Sequence, residues 1–183
     1  MTAPYRPEFE AALAALARVG RRMHAQGCLL PVLVGGAAVE LYCGSAIATG
    51  DFDLSTARQD IFEQALRHEG FIRPRGPGVA TRGWIHPGLK LGFEVVSDTL
   101  LDGNADRDRI RLINVGDAGR IAVISIEDMI ADRMGQYASG TAAEMLSQAK
   151  ALFRLYPDAD REYMERRVRE ETAGDYGIDI LES

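Results

Sequence analysis

The chain has 183 residues, of which 46% are hydrophobic and 26% are charged, and its formal net charge is −6. These proportions are those of an ordinary globular domain, so they argue against a disordered or fibrous protein. The acidic balance argues against broad, non-specific binding to nucleic acid, which needs many cations to neutralise phosphates. No stretch approaches the ~18 apolar residues that span a membrane, and residues 1–10 lack a signal-peptide pattern. We therefore predict a cytoplasmic protein without a membrane anchor.

The first elements in chain order are a helix, a buried strand and a second helix. Residues 8–26 carry apolar side chains at spacings of three and four, which predicts an amphipathic helix: Phe9, Leu13, Leu16 and Val19. Leu29 to Val34 is a continuous apolar run that predicts a strand buried on both faces. The pair Gly35-Gly36 is predicted to turn the chain, and a helix is predicted to restart over Ala37 to Tyr42.

Further strands are predicted downstream as far as residue 124, with one helix between them at Asp60 to Glu69. Residues 73–83, rich in Gly, Pro and Arg, predict a loop. The predicted strands are Asp51 to Ser55, a short one at Trp84 and Ile85, Leu91 to Ser97, and a hairpin of Ile110 to Val115 with Arg120 to Ile124.

From Ser125 the pattern becomes entirely helical. Ser125 with Asp128 three residues later predicts a capped helix start, and two further helices are predicted over residues 142–155 and 158–172. The last helix interleaves arginines with glutamates, which predicts a salt-bridged exposed face containing Arg161, Arg166, Arg167 and Arg169.

The predicted fold class is therefore α/β (α+β), a mixed sheet with flanking helices followed by a helical segment. We predict two parts, a core at residues 1–124 and a C-terminal helical segment at residues 125–183 that packs on it as one unit.

The strand at residues 51–55 carries the first candidate site. On a strand, Asp51 and Asp53 project from the same face roughly 6 to 7 Å apart, while Phe52 and Leu54 point into the core. Two aligned carboxylates repel each other, and a hard cation such as Mg²⁺ relieves that repulsion. The pair therefore predicts a site for a divalent metal.

The glycine pair upstream indicates a neighbouring phosphate site. Gly35 and Gly36 let the backbone approach a phosphate closely, and the positive end of the following helix favours an anion there. A phosphate site beside a metal site is the combination that phosphoryl or nucleotidyl transfer needs.

Glu94 in the apolar segment LGFEVVS is the candidate third carboxylate. An acid in the middle of such a strand is costly unless it is paired or metal-bound. If this strand lies beside the one that bears the Asp pair, the three carboxylates converge and can hold two metal ions. Asp98, just past the strand, is the substitute candidate.

With these residues the sequence resembles the polymerase-beta-like nucleotidyltransferase superfamily. The shared pattern is a hydrophobic strand, Gly35-Gly36, a helix, Asp51-Phe52-Asp53 and the later Glu94. The stretch TGDFDL, residues 49–54, looks like the form found in AbiEii-like toxin nucleotidyltransferases and related uncharacterised bacterial families. The strong resemblance covers residues 29–97.

The resemblance implies transfer of a nucleoside monophosphate from a triphosphate to an acceptor hydroxyl of RNA, a protein or a small molecule. It implies that Asp51, Asp53 and Glu94 are catalytic and bind Mg²⁺ or Mn²⁺, and that Gly35 and Gly36 bind the nucleotide. Toxin members often have a lysine in the downstream helices, and Arg133 is the nearest candidate here, which the resemblance implies as a nucleotide-binding residue. A toxin-like role would also imply a cognate partner protein.

Two hypotheses are open on the sequence. The leading one is an active, metal-dependent nucleotidyltransferase. The second is a catalytically weak nucleotide-binding or protein-interaction module that keeps the fold. The second is motivated by Ala37, where many members carry a phosphate-binding serine, and by Glu94 in place of the commoner aspartate.

Overall fold

The computed structural model describes residues 5–74, 83–89 and 91–182. Most of the predicted loop at residues 73–83 lies outside these ranges. The strands are β1 (Val32–Val34), β2 (Asp51–Ser55), β3 (Trp84–Ile85), β4 (Gly92–Ser97), β5 (Arg111–Asn114) and β6 (Arg120–Val123). The α-helices are α1 (Pro7–Ala25), α2 (Gly35–Tyr42), α3 (Gln59–His68), α4 (Ile126–Ala138), α5 (Glu144–Leu155), α6 (Arg161–Glu171) and α7 (Asp179–Glu182).

The strands form one mixed sheet in the order β3-β4-β2-β1-β6-β5. The pairs β1/β6 and β2/β4 are parallel, while β1/β2, β3/β4 and β5/β6 are antiparallel. The predicted hairpin of the last two strands is confirmed. The α/β fold class with a mixed sheet is likewise confirmed.

The first helix forms as its apolar spacing predicts. Pro7 occupies the helix start, where its missing N–H costs no hydrogen bond, and acidic residues in the first turn complement the positive helix end. Phe9 at the buried face contacts the ring of Phe52 on β2, with ring centroids 5.2 Å apart. Phe52 in turn stacks on Phe93 of β4 at 4.9 Å. These aromatic rings place α1 on one face of the sheet.

The strand predicted over Leu29 to Val34 is too long, because only Val32 to Val34 pair as β1. Pro31 immediately precedes the strand and has no N–H to donate to a ladder. Leu29 is 72% exposed, so the start of the apolar run is not buried as predicted.

The C-terminal helices begin as predicted at Ser125, whose hydroxyl accepts the backbone N–H of Asp128 at 3.0 Å. The apolar face of α4 is buried, and α4 contacts α2, α5 and α6. The hydroxyl of Tyr156, just after α5, donates to the carbonyl of Tyr42 in α2 at 2.8 Å. The division of the chain at residue 124 stays a prediction.

The prediction that Arg167 lies on an exposed helix face is wrong. Its side chain is fully buried, and its Nε donates to Asp128 of α4 at 2.8 Å. Glu170 and Glu171 bind the rest of the guanidinium. Alternation of Arg and Glu along α6 is compatible with either an exposed or a buried arginine side chain. The position of α4 decides which arginine is buried.

Sequence reasoning did not predict α7, a four-residue helix whose Leu181 is buried. None of the helices in the described part of the chain is both long and apolar enough to cross a membrane.

Candidate functional site

The three candidate carboxylates lie on two neighbouring strands. In the parallel pairing of β2 with β4, Asp51 faces Gly92 and Asp53 faces Glu94. Directly paired residues project from the same face, so all three acids share the face opposite the Phe52–Phe93 stack. A Cβ at Gly92 would lie 2.7 Å from Oδ1 of Asp51. The glycine therefore leaves the space into which the Asp51 side chain leans.

Asp53 is the electrostatic centre of this group. Burial raises the pKa of its carboxyl above the ordinary value, and the charges of Asp51 and Glu94 raise it further. The guanidinium of Arg133 acts in the opposite direction. Asp51 is exposed, whereas Asp53 and Glu94 are half-buried. The arrangement therefore concentrates negative charge that a cation would relieve.

The glycine pair lies directly against Asp53. Gly35 has a φ of +62°, and a Cβ there would lie only 2.3 Å from Oδ2 of Asp53. The structure corrects one detail, because α2 starts at Gly35 itself and both glycines lie in its first turn. The residue before the helix, Val34, provides no side-chain cap, so the first-turn N–H groups remain available to an anion.

Gly35→Ala is expected to destabilise the fold by about 1–3 kcal/mol, because a methyl group would meet Asp53 and the positive φ disfavours an L side chain. Nucleotide affinity should fall with it, since the Asp53 carboxylate must move. Gly50→Ala is the matched control, because no atom lies within 4 Å of a Cβ there. Urea unfolding and nucleotide titration of both variants test this. Equal behaviour of the two would contradict the close approach.

A cleft of about 410 Å³ opens beside Gly35, Gly36 and Asp53, and Arg133 of α4 lines its far side. The Arg133 side chain is buried, and its guanidinium is held by Asp132 through a contact of 2.7 Å between Nη2 and Oδ2. The cleft therefore meets a fixed guanidinium, and the Asp132 carboxylate that holds it also lines the cleft and opposes part of its charge. The structure thus brings together both glycines, Asp53 and the arginine that sequence reasoning assigned to the nucleotide.

Glu94 lines a second recess, of about 520 Å³, together with Glu63, Arg73 and Trp84. Val96, two residues further along β4, lines both this recess and the cleft. Glu94 therefore lies in a recess that adjoins the cleft at Val96. The substitute candidate Asp98 is exposed beyond the end of β4 and lines neither.

Whether the candidate carboxylates can bind a metal ion depends on which other groups complete the coordination of the ion. Within residues 5–74, 83–89 and 91–182, no three His, Cys, Asp or Glu side chains form a group arranged to hold an ion. The donor set is nevertheless that of a hard cation, since it consists of carboxylate oxygens that repel one another. Mg²⁺ is commonly bound by one or two carboxylates together with substrate phosphates. Asp51 and Asp53 fit that mode beside a phosphate-binding helix start.

Sequence reasoning missed Glu40, a fully buried acid in α2. Its carboxylate accepts hydrogen bonds from Nε of Arg6 at 2.7 Å, from the Ser45 hydroxyl at 2.8 Å and from the Thr49 backbone at 2.6 Å. Burial raises the pKa of Glu40, but these donors outweigh it and hold the pKa below its ordinary value. The signal in the sequence was an acid within the apolar segment AAVELY.

This network holds the loop that precedes β2. Arg6 also donates to the carbonyl of Thr49, and the Thr49 hydroxyl donates to the carbonyl of Asp51 at 3.1 Å. A Cβ at Gly36 would lie 2.7 Å from the same hydroxyl. Glu40 therefore couples the loop before β2 to the first turn of α2.

Glu40→Gln is expected to cost about 1.5–3 kcal/mol, the value of hydrogen bonds to a charged group. It should also weaken nucleotide binding, because the start of β2 loses its anchor. Glu69→Gln is the matched control, since Glu69 is also held by ion pairs, with Arg18 and Arg22, away from the cleft. A similar loss of nucleotide affinity in both variants would show that Glu40 has no specific positioning role. Chemical unfolding and calorimetric titration provide the two measurements.

No protein-family model matches the chain, and no curated protein matches its sequence. The solved structures that share its fold include the following two. An antigenic nucleotidyltransferase-like protein from Paracoccidioides brasiliensis aligns with a TM-score of 0.63 and 14% identity, over 97% of this chain and 94% of that one. The antibiotic-resistance factor ANT(2'')-Ia aligns with a TM-score of 0.57 and 13% identity, over 89% and 92%. These likenesses establish a nucleotidyltransferase-type fold.

Proposed function

Starting from this fold, we propose that the chain is a metal-dependent nucleotidyltransferase that moves a nucleoside monophosphate from a nucleoside triphosphate to an acceptor hydroxyl. One observation carries the proposal: Asp53 lies between Glu94 on the neighbouring strand and the Gly35 backbone at the start of α2. Carboxylates beside an exposed set of backbone N–H groups are what a metal–triphosphate complex requires.

The cleft is proposed to hold the triphosphate. The N–H groups of Gly35 and Gly36, with the positive end of α2, bind phosphate oxygens, and Arg133 neutralises charge from the other side. Asp51 and Asp53 would hold Mg²⁺ or Mn²⁺. When bound, the ion would neutralise phosphate charge and polarise the phosphorus–oxygen bonds.

The acceptor hydroxyl is proposed to enter through the neighbouring recess, where Glu94 accepts its proton. The acceptor oxygen attacks the α-phosphorus, its proton passes to the Glu94 carboxylate, and the bond between the α-phosphorus and the bridging oxygen breaks. Pyrophosphate is the leaving group. The support for this role is that the recess lined by Glu94 adjoins the cleft at Val96, because a general base must reach an acceptor hydroxyl close to the phosphorus.

We further propose that this nucleotidyltransferase is toxin-like, modifies RNA or a protein, and is controlled by a cognate partner protein. Its support is the resemblance of residues 49–54 to the AbiEii-like toxins. The second candidate function is a nucleotide-binding or protein-interaction module without efficient transfer. It is favoured by the absence, within the described residues, of a preformed group of three metal-binding side chains.

Incubation with each α-labelled nucleoside triphosphate, Mg²⁺ and either total RNA or total protein separates the two functions. Label transferred to a macromolecule, and lost in Asp51→Asn, supports the enzyme and identifies the acceptor class. Nucleotide binding without transfer to any acceptor, including small hydroxylated molecules, supports the module.

Millimolar Mg²⁺ or Mn²⁺ is expected to raise the melting temperature only when a triphosphate is also present. The physical reason is that the ion needs phosphate oxygens to complete its coordination, and ligands that bind only the folded state stabilise it. At a ligand concentration of 100 times Kd the gain is about 2.7 kcal/mol. Thermal unfolding with metal alone, nucleotide alone and both together tests the expectation. No shift in any condition would contradict both candidate functions.

A further inference from the structure

An open groove of about 580 Å³ lies between the C-terminal half of α1 and the β5 edge of the sheet. Its apolar lining consists of Leu29, Leu30, Val32, Ile110, Leu112 and Ala122. Leu29 is 72% exposed and Leu112 is 56% exposed, so two large apolar side chains lie open at one site. Solvent-exposed apolar patches with a polar rim mark binding surfaces more often than isolated exposed residues do.

Three sheet residues of the groove lie on the face that carries the proposed catalytic acids, whereas α1, which supplies Arg21 and His24, packs on the other face. Val32 pairs with Ser55 of β2 and with Ala122 of β6, and Ala122 pairs with Leu112 of β5. Ser55 lines the catalytic cleft, whereas the groove and the cleft have no lining residue in common. Because neighbouring strands are about 4.8 Å apart, Leu112 lies roughly 14 Å from Ser55. The groove is therefore a site separate from the cleft.

The rim of the groove is basic although the chain as a whole is acidic. Arg21, Arg107 and Arg120 come from three different elements, and His24 of α1 joins them. These arginines form no ion pair within the part of the chain that the structure describes, whereas most other described arginines bind an aspartate or glutamate. The only acid in the lining is Asp108.

We infer that this groove docks a segment of a partner protein that carries both acidic and apolar side chains. Charge complementarity selects an acidic occupant, and the aliphatic floor selects one with apolar side chains. Single-stranded nucleic acid is disfavoured, because its bases need aromatic platforms and the lining contains no Phe, Tyr or Trp. The inference is independent of the proposed reaction, since it uses no catalytic residue.

The probe is a fluorescein-labelled short peptide of Leu, Asp and Ser, measured by anisotropy against the full chain. Two matched peptides serve as controls, one with Lys in place of Asp and one with Ala in place of Leu. Binding should be about tenfold or more weaker for each control, because each removes one of the two complementary features. Backbone amide shifts of the labelled protein should locate the peptide at residues 107–112 and 119–122.

The variants keep the fold, because they replace exposed side chains. Arg107→Glu with Arg120→Glu should reduce affinity for the acidic peptide at least tenfold, and Leu112→Asn should also reduce it. Arg111→Glu is the control, since Arg111 points to the other face, over the Tyr42 ring. Unchanged binding in the charge-reversed variant, shifts confined to the catalytic cleft, or preferential binding of a labelled oligonucleotide or of a second copy of the chain would each overturn the inference.

Discussion

Glu94→Gln is expected to lower the rate of nucleotidyl transfer on the order of 10² or more while triphosphate binding remains largely in place. The glycine turn and Asp53 line the cleft, whereas Glu94 lines the recess beside it, so the substitution removes a base without removing the phosphate site. Single-turnover transfer and equilibrium nucleotide affinity measured on the same variant provide the test. Asp51→Asn should instead lose metal-dependent nucleotide affinity.

The stability of Glu94→Gln separates a catalytic from a structural role. Within the described ranges no arginine, lysine or histidine forms an ion pair with Glu94, so the substitution leaves no buried cation unpaired. Unfolding free energy should therefore change by much less than the about 3 kcal/mol expected for a broken buried pair. Asp98→Asn is the matched control, because this exposed acid follows the same strand. A stable Glu94→Gln protein with unchanged transfer would contradict the three-carboxylate mechanism.

Arg167→Met is expected to destabilise the fold by about 3–5 kcal/mol, because it leaves the Asp128 carboxylate charged and buried without its partner. The side chains of Arg167 and Asp128 are 0% and 1% exposed, and the contact joins α6 to α4. Asp128 keeps the hydroxyls of Tyr163 and Ser125, at 2.9 and 2.7 Å, but these carry no compensating charge. Urea unfolding measures the loss.

Two further variants make this expectation specific. Arg166→Ala removes the neighbouring arginine, whose ion pair with Glu170 is exposed on both sides, and should cost less than about 1 kcal/mol. Asp128→Asn combined with Arg167→Met removes both buried charges and should cost less than the sum of the single changes. Equal losses for Arg166→Ala and Arg167→Met would contradict the burial of the pair.

Local sequence patterns predicted the structure correctly where residues a few positions apart determine the conformation. The apolar spacing of α1, the alternation along β2 and the Ser125 cap each follow from neighbours a few residues away, and all three appear in the structure. The start of β1 was harder, because an apolar run shows that a segment is hydrophobic but not where its pairing with the neighbouring strand begins.

The residues of the candidate site likewise divide into those that local sequence predicts and those that tertiary contacts bring together. The shared face of Asp51 and Asp53 could be predicted locally, because alternation along β2 alone puts both side chains on one face. The position of Glu94 beside Asp53 depends on strand order, which brings β4 next to β2 across a gap of many residues. The Glu40 network depends on Arg6, which lies 34 residues earlier and has no local reason to meet it.

The sequence by itself determined the succession of the six strands and of α1 to α6 along the chain, and the faces of β2, because backbone sterics and side-chain periodicity act over short distances. Only the tertiary structure decided which charges are covered. Arg167 and Arg166 are adjacent in the chain, yet one is buried against Asp128 and the other is exposed. Burial depends on which helix packs above a side chain, and that contact is made by residues far apart in sequence.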